Sequence, residues 1–183
     1  MTLRSWEDAQ RLKGRLETSR RLGVIGGGWI GLEVASSARK LGLEVVVFER
    51  QQRLCERSVG AEVSTGLAEL HHGHGVDLQL GCQQLALFEQ TDGRVAIEAD
   101  GNAFEPFDLV VVGTGVSFNL ELARDAGLAI EQGIVVDAGG RTSDPYIFAA
   151  GDVAQHPQLG LCLQSWSYAQ NQARVVAETM LGL

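Results

Sequence analysis

The sequence predicts an α/β fold, a parallel sheet carrying one antiparallel insert, and three observations lead there. The runs "RLGVIG", "LEVVVFE" and "FDLVVVGTG" are continuously apolar, as strands buried on both faces of a parallel sheet are. Between the second and third of these the period changes. "QQLALFEQ", "GRVAIEAD" and "NAFEPFD" are short segments joined by Thr91-Asp92-Gly93 and Asp100-Gly101-Asn102, turn chemistry that predicts a small antiparallel meander. The 23 glycines follow no strict period and gather between the apolar runs, which excludes a collagen-like chain.

In chain order, "SWEDAQRLKGRL" reads as a short helix. Ser5 is its N-cap with Asp8 three residues on, an acidic variant of the capping box, and Leu12 and Leu16 share one face. "RLGVIG" runs straight into a glycine turn. The following helix, from about Gly28 to Lys40, stops before Gly42, and "LEVVVFE" completes a βαβ unit with an expected right-handed crossover. "SVGAEVSTGLAELHHGHG" is a further helix with Ser58 as candidate cap and Gly73 or Gly75 as its stop. "VDLQL" is a short strand, then come the meander and "FDLVVVGTG". After it, "NLELARDAGL" is a short helix and "GIVVDAGGRTSDPYIFAAGDVA" holds two short strands. "WSYAQNQARVVAETMLG" is a closing helix. The expected division is a lead-in helix at 1–17, one domain at 18–118 and a remainder at 119–183 whose strands are too few for a core of their own.

The bulk numbers narrow the function classes. Hydrophobic residues make up 45% of 183 and the formal net charge is -8, which argues against nucleic acid as a main partner. Basic residues among the first 23 read as a solvated helix face. Cys55, Cys82 and Cys162 form no CxxC, so neither a disulfide framework nor a dithiol centre is expected. No signal-like segment opens the chain and no apolar run reaches the roughly 18 residues of a membrane span. A cytoplasmic protein with no membrane partner is the expectation.

The chemistry centres on "VIGGGWIGLE". It contains Gly26-x-Gly28-x-x-Gly31 between an apolar strand and a helix, with Glu49 at the end of the next strand. GxGxxG alone is a weak signal, and a tight turn without ligand is its bland reading. In this context it is a Rossmann-like dinucleotide fingerprint. Gly26 permits the turn, Gly28 admits a pyrophosphate to the backbone, and Gly31 allows helix and strand to pack closely. The pyrophosphate would meet free N–H groups at the helix N-terminus. Glu49 can accept hydrogen bonds from both ribose hydroxyls and would repel a 2'-phosphate, which favours NAD over NADP. Arg50 and Arg53, just beyond, could favour NADP or could simply be solvated. "VVVGTG" places Gly113 and Gly115 at a second strand end, where they would let the backbone close over the nicotinamide side or merely permit a turn.

The remaining candidates are weak. His71, His72 and His74 sit at a helix end that suits imidazole, and adjacent positions do not face one way, so no metal is expected. His156 precedes Pro157 in a loop as an ordinary polar residue. No strand-to-helix elbow of the kind hydrolases need is readable.

Together "VIGGGWIGLEVASSARKLGLEVVVFE", "VVVGTG" and "RTSDPYIFAAGDVA" resemble the flavin-dependent ferredoxin or rubredoxin reductases that feed bacterial oxygenases. "SWSYAQNQARVVAETMLG" is most similar to the reductase components of ring-hydroxylating aromatic dioxygenases. The resemblance implies an FAD domain interrupted by an NAD domain, hydride transfer from NADH to FAD, and single electrons passed to a [2Fe–2S] ferredoxin. It implies that Gly26, Gly28, Trp29, Ile30, Gly31, Glu33 and Glu49 serve NAD, with Glu33 near the nicotinamide, and that Gly113 and Gly115 join them. Asp152 in "AAGD" would bond the ribityl chain of FAD, and Trp166 would lie beside the isoalloxazine. No catalytic side chain and no metal ligand is implied.

Two departures stand out. Gln164-Ser165-Trp166 replaces the family's Glu-Ser-Trp or Glu-Ser-Val, which removes a charge near the flavin. The family also begins with a second strand–GxGxxG–helix for the ADP half of FAD. The chain therefore reads as an internal fragment: residues 18–118 are the NAD-binding domain and 119–183 a returning segment of an incomplete FAD-binding domain. The absent half of the FAD domain would be its partner, alongside the ferredoxin. Apolar faces of the last helix and of the Ile134–Val136 strand would be bare, FAD would bind poorly, and the fragment would have little reductase activity. The alternatives are a pyridine nucleotide-disulfide reductase fragment and a non-catalytic NAD(H)-binding module.

Overall fold

The computed structural model describes residues 1–183. Packing divides the chain into two units, Met1–Gly115 and Val116–Leu183. The first unit comprises α1 (Trp6–Thr18), β1 (Arg21–Ile25), α2 (Trp29–Lys40), β2 (Glu44–Glu49), α3 (Ala61–Gly73) and β3 (Val76–Leu80). After these come β4 (Leu85–Glu89), β5 (Val95–Ala99), β6 (Asn102–Phe107) and β7 (Leu109–Val112). Strands β3-β2-β1-β7 form one all-parallel sheet, and β4-β5-β6 form the antiparallel meander. Both expected sheets are present.

Local chemistry accounts for the element ends. Ser5 accepts the Asp8 N–H at 3.2 Å while the Asp8 carboxylate accepts the Ser5 N–H at 3.0 Å, so the acidic capping box closes α1. At the β5–β6 corner Asp100 and Gly101 both take positive φ, 48° and 81°, the backbone a two-residue hairpin requires. Gly75 (φ 80°), not Gly73, supplies the left-handed residue beyond α3. Ser58 is not the cap of that helix. The cap is Gly60, because residues 55–59 are taken up by a turn in which Ser58 and Val59 both donate to the Cys55 carbonyl at 2.8 and 3.1 Å.

Strand alternation then sends side chains to two cores. Leu22, Val24, Val45, Val47, Leu109 and Val111 pack with Leu12 and Leu16 of α1 and Val34, Ala35 and Ala38 of α2. Ile25, Val46, Phe48 and Val110 face the meander through Ile97, Ala99 and Phe107. Phe48 meets Phe104 and Phe107 edge-on at 4.9 and 6.0 Å between centroids. Each fully buried ring of this kind contributes about 1.5–3 kcal/mol. Gly23 lies under this contact: a Cβ there would stand 3.1 Å from Ile97 and 3.3 Å from Phe107. The meander is thus seated on the sheet face opposite α1 and α2.

The second unit holds α4 (Glu121–Asp125), β8 (Ile134–Val135), β9 (Ala154–Gln155) and α5 (Trp166–Leu181), with β8 and β9 paired in parallel. Buried Gln155 satisfies it internally, accepting the Gln132 N–H at 3.0 Å and donating to Glu131 at 2.6 Å. In α5, Trp166, Met180 and Leu181 are exposed, as expected of that helix. Val136, however, is buried. Ile134 and Val135 are half-buried, so the strand expected to be bare at Ile134–Val136 is covered in part. No helix of the chain is long and apolar enough to cross a membrane.

Candidate functional site

Beyond the carboxyl ends of β1, β2 and β7 lies a cleft of about 340 Å³. Its floor is the glycine turn. Gly26 has φ 110°, its N–H donates to the Phe48 carbonyl at 2.8 Å, and a Cβ on it would strike the Gly113 carbonyl. Gly31 lies in the first turn of α2, where a Cβ would collide with the Gly26 carbonyl oxygen. Gly28, the N-cap of α2, meets no atom within 4 Å of the position its Cβ would occupy. Two glycines are therefore enforced by packing, and the third faces open space. That is the cradle an approaching phosphate needs, with the unpaired N–H groups of the first turn of α2 above it.

Glu49 closes the other wall. One carboxylate oxygen accepts the Gly27 N–H at 2.6 Å and the other accepts the Gln51 N–H at 2.7 Å. Gly27 has to be glycine for this: a Cβ would lie 2.8 Å from Leu54 and about 3 Å from the Glu49 side chain. The Gly27 carbonyl in turn accepts the Cys55 N–H at 2.9 Å, and Cys55 holds a left-handed φ of 50°. The segment after β2 is thereby stapled to the glycine turn through the same residue that orients Glu49. Burial, then the neighbouring Glu49 charge, pushes the Cys55 thiol above its ordinary range. Burial does the same to Cys82 on the opposite rim and to Cys162 in the second unit, so all three thiols stay protonated near neutral pH.

The structure brings Gly26, Gly28, Glu49 and Gly113 to this one cleft. Trp29 and Glu33 line a separate groove beside α3 with Lys40, Leu67 and His71. Ile30 is exposed at the start of α2, and Gly115 takes φ 136° just past the cleft. In the second unit, Asp152 follows Gly151 (φ 80°), whose N–H is held by the Gln172 side chain at 2.8 Å. Asp152 and Trp166 are both exposed.

Sequence reasoning passed over Gly27, Cys55, Arg57 and Thr114, which also line the cleft. The middle glycine of "GGG" was a usable signal for the first of these. The staple through Cys55 left none, because a positive φ at cysteine has no sequence signature. Arg53 is turned away: it donates to Ser64 at 3.0 Å and faces Glu56 at 3.9 Å. Arg50 and Arg57 line the cleft instead.

Comparison with known proteins agrees with this geometry. The chain is 42% identical to the ferredoxin–NAD(+) reductase component of an anthranilate 1,2-dioxygenase system from Burkholderia cepacia, over 98% of this chain and 45% of the relative. It is 39% identical to putidaredoxin reductase from Pseudomonas putida, over 98% and 44%. The chain thus spans less than half the length of the curated relatives it matches. A solved ferredoxin reductase from Rhodopseudomonas palustris superposes with a TM-score of 0.91 at 38% identity, covering 100% of this chain and 46% of that one. The reductase in a covalent putidaredoxin reductase–putidaredoxin complex gives 0.89 at 39%, covering 99% and 45%. The family pattern described as pyridine nucleotide-disulphide oxidoreductase matches residues 1–173. A glycine turn enforced at Gly26 and Gly31, a carboxylate anchored at the end of the neighbouring strand and a match over nearly the whole length place this chain in the pyridine nucleotide-disulphide oxidoreductase family.

Proposed function

We propose that the chain is the NAD-binding portion, with a returning segment of an FAD domain, of an NADH-dependent ferredoxin reductase that supplies an oxygenase. The observation that carries this is the single cleft in which an open-faced Gly28 and an anchored Glu49 carboxylate meet at parallel strand ends. Relatives named as ferredoxin reductases at about 40% identity support it. The domain reading remains 1–17 as lead-in helix, 18–118 as NAD domain and 119–183 as the FAD-domain segment.

Bound NADH would supply a hydride, and FAD would accept it and release single electrons to a [2Fe–2S] ferredoxin. The chain's own part is positional. Gly28 and Gly31, with Trp29 and Ile30 between them, give the pyrophosphate its backbone N–H groups, while Gly26, its own N–H held by the Phe48 carbonyl, shapes the turn beneath them. Glu49 accepts the adenosine ribose hydroxyls on lone pairs left free by Gly27 and Gln51. Gly113 and Gly115 border the nicotinamide side; Glu33, given to the nicotinamide by the resemblance, lines the separate groove beside α3. Asp152 and Trp166 would serve FAD as a sugar-hydroxyl acceptor and a ring neighbour. Because these residues supply only part of a flavin site, the chain alone binds NADH, binds FAD poorly and reduces ferredoxin little. A cytoplasmic location belongs to this reading.

Cys55, Cys82 and Cys162 form no redox pair in this chain, and turnover with a ferredoxin in the complete protein separates this reading from a disulfide reductase and from a non-catalytic module. The test is calorimetric titration of the purified chain with NADH and with FAD, together with its visible absorbance. Saturable NADH binding at one site with no stoichiometric flavin is the expected result. Absence of NADH binding would overturn the assignment of the cleft, and one tightly held FAD per chain would overturn the incomplete flavin site.

A further inference from the structure

We infer that the groove between α2 and α3 is a binding site for a small apolar monocarboxylate, held at its charged end by Lys40, His71 and Ser36. The groove shares no residue with the dinucleotide cleft, so this site goes beyond the proposed function. Its volume is about 370 Å³, within the range that small-molecule sites occupy. Leu70 and Val76 form apolar walls, and Ser36, Lys40, His71 and His74 supply polar groups. His71 is the unusual member. Only 9% of it is exposed, yet its ring has no hydrogen-bond partner in the protein and its nitrogens are not sealed from the groove. A polar ring so buried calls for a partner, and the groove is where one can reach it.

The groups left free match an anion. Lys40 is exposed and forms no ion pair. Arg39 beside it is committed: its Nε donates to the His74 carbonyl at 2.9 Å and its Nη1 to the Leu43 carbonyl. Carbonyl groups at the helix ends would oppose an anion, but they are already taken. Ser37, Ala38 and Arg39 accept from Leu41, Gly42 and Leu43, and Leu70, His71 and His72 accept from His74 and Gly75. No acid lines this groove. Glu33, in the adjoining groove, stands seven residues before Lys40 on α2, about 10 Å along the helix axis. One ammonium, one imidazole and one hydroxyl over apolar walls suit a carboxylate with an apolar body. A phosphate dianion would lose more hydration there than one cation offsets.

The imidazole also makes binding visible. Burial, then the neighbouring His74, holds the His71 pKa below the ordinary 6.5. The other charged groups in the two grooves that His71 lines are Lys40, Arg39 and Glu33 of α2. A carboxylate placed against the ring favours the imidazolium and raises its pKa. Ligand and proton then bind cooperatively, and affinity rises as pH falls through that pKa.

The experiment is titration of the full chain with sodium benzoate, followed by the His71 ring resonance between about pH 6 and 8. Acetate, inorganic phosphate and benzyl alcohol serve as comparison probes. Benzoate is expected to saturate one site and to raise the His71 pKa by about one unit. The three comparison probes should bind at least about tenfold more weakly, each lacking either the apolar body or the single charge. Lys40→Ala, an exposed change that leaves the fold intact, should weaken benzoate about tenfold, and Lys40→Arg should restore part of the loss. NADH affinity of both variants should equal that of wild type. No saturable benzoate shift at His71, benzoate binding unchanged in Lys40→Ala, or phosphate binding as tight as benzoate would each overturn the site. An equal loss of NADH affinity in Lys40→Ala would overturn its separation from the cleft.

Discussion

The Glu49 carboxylate lies 2.6 Å from the Gly27 N–H, across the turn that links β1 to α2. Through this one bond the end of β2 sets the orientation of the glycine turn, and the turn fixes the carboxylate in return. Neither partner could do this with a different neighbour, because any side chain at residue 27 would displace Leu54 and Glu49 together. The site is thus pre-formed by backbone packing, a condition under which binding loses least to ordering.

Gly31 and Gly28 should separate folding from binding. Gly31→Ala drives a Cβ into the Gly26 carbonyl, and overpacking of this kind costs about 1–3 kcal/mol. Gly28→Ala meets no protein atom; its only penalty is a poorer helix cap, about 1 kcal/mol or less. Urea unfolding of both variants alongside NADH titration checks this. Gly31→Ala is expected to lose stability and binding together, and Gly28→Ala to lose mainly binding.

Ser64 is expected to matter to the cleft although it lies outside it. It is buried in α3, donates to the Leu54 carbonyl at 2.6 Å and accepts from Arg53 at 3.0 Å. Ser64→Ala leaves both groups without it, and an unsatisfied buried partner costs about 1–3 kcal/mol. Because Leu54 and Cys55 brace Gly27, NADH affinity should fall as well. A variant equal to wild type in both stability and affinity would refute the coupling.

Much of this architecture was legible in the residues. The apolar runs, the change of period at "QQLALFEQ" and the turns at Asp92-Gly93 and Asp100-Gly101 report local chemistry, and local chemistry decides strands and hairpins. Gly26, Gly28, Glu49 and Gly113 were legible for the same reason: strand-end positions in a parallel sheet converge whatever lies between them. What could not be read were contacts made by a peptide group rather than a side chain. Cys55 fixes Gly27 through its N–H, and in doing so displaces the start of α3 from Ser58 to Gly60. Arg57 enters the cleft and Arg53 leaves it at that same turn, so of Arg50 and Arg53, read from the sequence as phosphate-facing or solvated, only Arg50 lines the cleft.

His71 should make stability sensitive to mild acid. It is buried at the end of α3, and burial first, then the nearby His74, lowers its pKa below the ordinary 6.5. Between the unfolded and the lower folded value the unfolded chain binds more protons, so stability rises with pH in that window. The contribution is fully present above about pH 6.5 and is lost as pH falls towards the folded pKa. Chemical unfolding at a series of pH values from 7.5 to roughly 5 should show this decline, and His71→Gln should flatten it. An unchanged slope in the variant would assign the effect to other groups.

Gln172 ties α5 to the turn that carries Asp152. Its side-chain oxygen accepts the Gly151 N–H at 2.8 Å, and Gly151 takes φ 80°, a conformation few other residues would hold. At the far end of the helix Arg141 stacks over Phe148 at 4.9 Å and reaches the Thr179 carbonyl at 3.4 Å, so α5 remains anchored when Gln172 is changed. Gln172→Leu removes the acceptor while leaving a side chain of similar size. The expected outcome is local: loss of one hydrogen bond, about 1 kcal/mol, and faster exchange of the Gly151 amide by roughly fivefold, with the helix itself intact by circular dichroism. Exchange of the amide at its wild-type rate would mean that backbone packing, not Gln172, sets the turn. Collapse of the whole helix would mean that the bond holds the unit together and does not merely position Asp152.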